Sequence, residues 1–443
     1  MFNRREFVKS GLAGSTLLAF GSSAPGFLAS TAMAAEAGKE KILVVVELTG
    51  GNDGLNTVIP HGDDLYYKAR PKLGIRTKEG ILSVDEHTGL NPALQHLKPM
   101  VDEKKLAAVL GVGYPNPNRS HFESMDVWHS ADPTRRAPNG WLGRGMSLLK
   151  MREGHVPAFH ISKQQLPLAL LGSGMGIPTL HPDKPFDLQL AGDPHRFQSD
   201  SSVATDKLQP KVSKENENNK KRRKLIDELA SLGEDDKNEM FQFVRRTSMH
   251  TYTSIEQLRE ILSGGFQKPQ GQAEYQGNQY SYKREGLYYE LQLVAQMIRA
   301  QFGTRIYYLA LDGFDTHSGQ RTTHAQLLQK LGIAIAQFFA QLKRTSDEDR
   351  VVLLTFSEFG RRVKENGSGT DHGAGSSLLV LGPAVKGGLV GEHPSLEPDK
   401  LDNGDLRFNI DFRQVYATVL DRWLECDSRR VLGDAYENVP LFA

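Results

Sequence analysis

The sequence predicts an α/β fold built on a mostly parallel sheet, on two observations. Short apolar, β-branched runs recur along the 443 residues: Ile42–Leu48, Leu106–Leu110, Arg305–Leu311, Val351–Phe356 and Ser377–Leu381. Such runs mark strands buried on both faces. Between and after them lie stripes at helical spacing. Leu287, Leu291, Val294 and Ile298 form one; Leu328, Leu331, Ile335, Phe338 and Leu342 a second; Phe412, Val415, Val419 and Trp423 a third. Apolar strands alternating with amphipathic helices specify a central sheet with helices on both faces.

Ahead of the first strand, residues 1–34 read as an export signal. Arg4-Arg5 with Phe7 and Lys9 behind them precede a small, apolar stretch from Gly11 to Leu28 and an Ala32-Met33-Ala34 cleavage site. That order matches a twin-arginine signal peptide. Pro25 and the abundance of Gly, Ser and Ala make the stretch a poor spanning helix, so no stable membrane span is expected in the mature chain. The product is expected in the periplasm or secreted, with the twin-arginine export machinery as a partner.

Composition narrows the function. Lys and Arg number 54 against 53 Asp and Glu, a formal net charge of +1, which gives no basis for capture of nucleic acid. The segment Lys214–Lys224 is basic, but the acids of Asp227–Glu239 follow it, and Leu225, Leu229 and Leu232 keep helical spacing. This middle region reads as a solvated helical insertion, and residues 265–285, rich in Gly, Gln and Tyr, as a loop or linker. The single Cys426 excludes an intramolecular disulfide framework, a cysteine zinc cluster and an iron–sulfur site. Any metal must be held by carboxylates and histidines.

Ligands of open parallel sheets bind beyond the carboxyl ends of the strands. After the first run comes Glu47-Leu48-Thr49-Gly50-Gly51-Asn52-Asp53-Gly54; after the third, Asp312-Gly313-Phe314-Asp315-Thr316-His317. After the fourth comes Ser357-Glu358-Phe359-Gly360-Arg361, with Thr370-Asp371-His372-Gly373 a little further on. Carboxylates and imidazoles are the usual ligands of zinc and manganese, and crowded carboxylates need a cation to offset their repulsion. The same residues beside glycine also suit turns and helix caps. Taken together, three strand-end carboxylates and two histidines favour a site. A second constellation is Tyr114–Glu123, where Ser120 and Glu123 have capping-box spacing ahead of a helix carrying Phe122, Met125 and Trp128. A hydroxyl at a helix N-terminus beside Arg119 also suits an anionic ester and a nucleophile.

The runs Val45–Thr57, Tyr114–Phe122, Gly313–His317, Ser357–Arg361 and Asp371–Gly373 closely resemble domain of unknown function family 1501, over nearly the whole chain beyond the signal. The resemblance implies a branch of the alkaline phosphatase and sulfatase superfamily. The fold would be an alkaline-phosphatase-like three-layer sandwich over residues 40–443, with a largely helical insertion at about 150–285. Position by position, it implies Glu47 at the first strand-end acid, and Asp315 and His317 at an aspartate and a histidine, spaced D-x-H where the superfamily has D-x-x-x-H. Glu358-Phe359-Gly360 falls where the superfamily has Asp-His-Gly, and His372 at the late metal-binding histidine. Pro117-x-Arg119 is similar to the nucleophile-bearing segment of sulfatases. Two departures stand out. Phe359 replaces a histidine that completes one of two metal sites, and Pro115 stands at the nucleophile, leaving Ser120 or Thr49 as neighbouring hydroxyls.

The function expected is therefore an exported metal-dependent hydrolase of phosphate or sulfate esters. The metal candidates are Glu47, Asp315, His317, Glu358, Asp371 and His372; the ion is zinc, with manganese or calcium as alternatives. Arg119 is expected to neutralise the ester, with Ser120, or a metal-activated water, as nucleophile and Glu47 assisting. The substrate would be a small anionic ester or a sulfated or phosphorylated polymer. The alternative is a non-catalytic exported binding or assembly protein on a degenerate phosphatase-like fold.

Overall fold

The computed structural model describes residues 40–149, 155–174, 176–180 and 286–442, with two short strands at 274–275 and 278–279. The export signal, the charged segment 214–239 and most of the insertion expected at 150–285 lie outside the described residues. In chain order the main sheet comprises β1 (Ile42–Thr49), β2 (Leu106–Gly113), β3 (Ala158–Ile161), β4 (Thr179–Leu180) and β5 (Ile306–Asp312). It continues with β6 (Val351–Phe356), β7 (Ser376–Leu381), β8 (Gly388–Val390) and β9 (Ile410–Asp411). Their spatial order is β8-β2-β7-β6-β1-β5-β3-β4, with β9 also on β2. The pairings are parallel except those of β7, which runs against β6 and β2. Two strands of the region read as insertion, β3 and β4, thus extend the central sheet.

The helices that matter below are α1 (Gly54–Thr57), α2 (Asp64–Ala69), α3 (His121–Ser130), α4 (Trp141–Met146), α5 (Leu287–Arg299), α6 (Gln320–Lys343) and α7 (Phe412–Thr418). The two-residue period of β1 sends Val44 and Val46 into one core with Leu291 and Val294 of α5 and Leu331, Ile335 and Phe338 of α6. Leu43 and Val45 enter the opposite core with Trp128 of α3, Trp141 of α4 and Phe412 and Val415 of α7. Helices therefore cover both faces, which is why the strands read as unbroken apolar runs. The third stripe continues beyond α7 as a π-helical segment, Val419–Leu424, where Trp423 donates Nε1–H to the Ile42 carbonyl at 2.9 Å. Among the described residues no helix is long and apolar enough to cross a membrane.

α3 carries Phe122, Met125 and Trp128 as the sequence places them, and Phe122 is 86% exposed. The buried face is set by Ser124, Val127 and Trp128, and at about 100° per residue Phe122 lies roughly 140° from Val127 around the helix. Spacings of three and three again drift off a face that repeats every 3.6 residues.

The topology gathers five loops at one sheet edge. Parallel pairing sets Thr49 beside Asp312 and Glu47 beside Phe356, so β1, β5 and β6 end together. Because β7 runs the other way, its first residue lies at this edge, with Ser376 opposite Val112 near the end of β2. The loops 50–53, 313–319, 357–361 and 370–375 and the segment 114–120 leading into α3 thus converge.

Leu331 of α6 is fully buried, so Leu331→Ala should lower unfolding free energy in urea by about 2–5 kcal/mol. Gln337→Ala, on the exposed side of the same helix, should change it by less than about 0.5 kcal/mol.

Candidate metal centre

Glu358 lies two residues beyond the end of β6 with its side chain completely buried. A buried carboxylate is costly unless its lone pairs are filled, and here donors come from three places. Oε1 accepts the Gly50 N–H at 2.8 Å and His121 Nδ1–H at 2.9 Å, and Oε2 accepts the Ser357 hydroxyl at 2.9 Å. Gly50 makes this turn at φ +115°, and a Cβ there would lie 2.4 Å from the Asp315 nitrogen, so the close approach of the two loops requires glycine.

Three histidines face Asp315. His317 Nε2 and His372 Nε2 each lie 3.1 Å from Asp315 Oδ1 and 3.0 Å from one another. His121 Nε2 lies 3.6 Å from Oδ2 of the same carboxylate. Behind each ring, Nδ1 is held by an oxygen: Glu358 Oε1 for His121, Asp371 Oδ1 at 3.3 Å for His317, and the Arg119 carbonyl at 2.9 Å for His372. Those acceptors place a hydrogen on every Nδ1, so in the neutral rings the Nε2 lone pairs point at a carboxylate and at each other. Acceptors at 3 Å repel unless a cation lies between them. A tetrahedral centre with bonds near 2.0–2.1 Å has ligand–ligand edges of about 3.3 Å, close to the separations among His317, His372 and Asp315, and ligand atoms of His121, Asp315 and His372 all lie within 4.8 Å of one another. The carboxylate or carbonyl behind each imidazole is the usual support of a metal-ligating histidine. The residues present therefore fit a divalent ion.

The charges agree. Burial alone would raise the Asp315 carboxyl, but the hydrogen bond and charge of the Arg361 guanidinium pull against it, and the carboxyl is held at about 2. The hydrogen bond to Glu358 raises the His121 imidazole. Asp315 and His317 are half-exposed, whereas Glu358 and Arg361 beneath them are buried, so the group opens outward.

Of the residues expected from sequence, Asp315, His317 and His372 meet in this group, with Glu358 and Asp371 behind the imidazoles. Glu47 goes elsewhere. Its carboxylate accepts from His129 Nε2 at 2.9 Å, from Tyr308 and from Thr49 at 3.1 Å, inside the core under α3. These donors together outweigh burial and hold it below the usual carboxylate range. Arg119 gives its guanidinium to Asp405 Oδ2, Nε at 2.9 Å and Nη2 at 2.5 Å, and serves His372 with its backbone carbonyl. The capping box at Ser120 does not form. Asn118 Oδ1 accepts the Ser120 N–H at 2.7 Å, Glu123 is taken by Asn118 and Arg135, and the Ser120 hydroxyl caps nothing. His121 is the residue that sequence reasoning missed. Its signal lay in the same Arg119-Ser120-His121 triplet, where the hydroxyl drew attention from the imidazole.

Residues 40–435 match the family described as "Protein of unknown function (DUF1501)". The chain belongs to this family. No curated protein matches the DUF1501 sequence. Among solved structures it has a distant likeness to Ps i-CgsB, at 9% identity and a TM-score of 0.36, covering 90% of this chain and 73% of that one. The same protein in complex with k-i-k-neocarrahexaose gives 10% identity and a TM-score of 0.35 over the same shares. The lipoteichoic acid synthase LtaP from Listeria monocytogenes gives 8% and 0.28, covering 78% of this chain and 66% of that one. Likenesses this low carry no inference about activity.

Under the centre, the DUF1501 chain builds a buried polar platform. Asn52 Oδ1 accepts from Thr57 Oγ1 at 3.1 Å and from His324 Nε2 at 2.9 Å. Asp53 is paired with Arg70 and Gln320, and Gln320 accepts the Thr370 hydroxyl at 2.6 Å. The loop after β1, the start of α6 and the loop carrying Asp371 are thereby joined. Burial pushes the His324 imidazole down to about 4. A histidine whose folded pKa is depressed is protonated first in the unfolded chain, so stability is lost as pH falls from about 6.5 towards 4. The loss is about 3 kcal/mol. Urea unfolding at pH 7 and pH 4 should show it in the wild type, and His324→Gln should lack that part of the decline.

Proposed function

We propose that this DUF1501 protein is an exported metal-dependent hydrolase of phosphate or sulfate esters, on an alkaline-phosphatase-like three-layer sandwich. One observation carries the reading: three imidazoles, each anchored at Nδ1, present Nε2 to a single carboxylate at the outward edge of the sheet. His121, Asp315, His317 and His372 would hold the ion. Three nitrogens and one oxygen suit zinc, whereas calcium takes oxygen ligands. When bound, the ion would polarise an ester oxygen and lower the pKa of a water.

The chain's own groups do the rest. Glu358 and Asp371 orient two of the imidazoles and increase their basicity, and the Arg119 carbonyl fixes the third. The uncommitted Ser120 hydroxyl, one residue before His121, is the protein nucleophile in this reading. Arg119, exposed but paired with Asp405, reaches an anion only by sharing its guanidinium with that carboxylate. The twin-arginine signal motivates export and a periplasmic or secreted location. The commitment of Arg119 to Asp405 favours a second reading, a binding or assembly protein that holds an anionic partner without turnover.

Metal content of protein expressed with its signal, and purified without chelators or a histidine tag, tests the reading. Wild type should carry close to one equivalent of zinc, and His121→Ala, Asp315→Ala and His372→Ala should each lose it while remaining folded. A folded wild type that takes up no zinc sinks the hydrolase. A zinc-loaded wild type inert towards phosphate and sulfate esters favours the second reading.

A further inference from the structure

We propose that Arg361 is a positioning residue of the metal centre, one that fixes the Asp315 carboxylate through the shape of its guanidinium rather than through its charge. The inference rests on the metal reading above. Arg361 is 1% exposed and follows the end of β6. Its Nε donates to the Gly51 carbonyl at 2.7 Å and Nη1 to the Thr370 carbonyl at 2.9 Å. Nη2 donates to the carbonyls of Gly50 and of Phe314, the latter at 3.0 Å, and to Asp315 Oδ1 at 2.8 Å. One planar group thus binds the loop after β1, the loop after β5 and the loop before Asp371.

Asp315 Oδ1 is the atom that His317 and His372 both face, so Arg361 holds the carboxylate from behind as Glu358 and Asp371 hold the imidazoles. The fork is fixed because each of its nitrogens donates to an acceptor and the side chain is out of reach of solvent. The carbonyls around the guanidinium need donors spread in a plane, which a lysine ammonium does not supply.

The test measures zinc affinity by competition with a chelating dye, and the visible spectrum of the cobalt-substituted protein, for wild type, Arg361→Lys and Arg361→Gln. Arg350→Lys is the comparison, because Arg350 is also buried, pairs with Asp347 before the start of β6 and touches neither the four ligands nor the platform beneath them. Arg361→Lys should bind zinc about 10–100-fold more weakly despite its charge, with altered cobalt bands. Arg361→Gln, which keeps planar N–H donors without charge, should fall between it and wild type. Arg350→Lys should lower thermal stability and leave affinity and spectrum unchanged. Wild-type affinity in Arg361→Lys, tighter binding in either Arg361 variant, or an equal loss in Arg350→Lys overturns the proposal. A second measurement needs no variant: in 15N-arginine wild type, the Arg361 Nε–H signal should shift on zinc addition, and an unmoved signal overturns it. A wild type without zinc affinity overturns the metal reading itself, whereas the outcomes above leave that reading standing.

Discussion

The burial of the Glu358 carboxylate governs the arrangement around it. A charge removed from water demands full hydrogen bonding, and the three donors that meet it come from the loop after β1, from Ser357 just past the end of β6 and from the first residue of α3. Each donor fixes an element. The Gly50 N–H sets where the chain leaves β1, which in turn sets how closely the Asp315 loop approaches. The His121 imidazole sets where α3 begins. The Nε2 that this hydrogen bond leaves free faces the carboxylate that His317 and His372 share.

α3 is tied to the sheet twice. His121 bonds Glu358, and His129, eight residues or about 12 Å of helix further on, bonds Glu47. The pleat explains the second tie. Glu47 shares the parity of Leu43 and Val45, so its side chain enters the core beneath α3 rather than projecting from the strand end. The acid sits two residues before the end of β1, still within the alternation of the strand. Asp315 and Glu358 lie beyond the ends of β5 and β6, where the alternation has stopped and turns aim the side chains.

Phe359 has a packing role where the family resemblance led one to expect a ligand. Its ring lies 4.9 Å from His121 and 4.5 Å from His372, centroid to centroid, at tilts of 44° and 33°. An aromatic wall restrains two imidazole planes as Glu358 and the Arg119 carbonyl restrain their hydrogen-bonding edges. With Glu358 fully engaged by donors and Phe359 carrying no ligand atom, the group built here is a single cluster around Asp315.

By itself the sequence determined the central strands and the three helical stripes, and it pointed to the carboxyl edge of the sheet as the place to look for a site. Those features depend on local apolar periodicity and on a rule common to open parallel sheets. It also pointed to Asp315 and His317, just past the apolar run of β5, and to His372, further along after the run of β6, because carboxylates and imidazoles recur there beside glycine. The tertiary structure alone decided which polar groups meet. The antiparallel course of β7 brings Asp371 and His372 to the edge where β5 ends, and the start of α3 adds His121, nearly two hundred residues from Asp315 in the chain. It also decided that Glu47 turns inward, that Arg119 pairs with Asp405 and that Phe122 faces water. Each of these outcomes depends on the partner a side chain finds across long loops, and residue type and spacing carry no record of that partner.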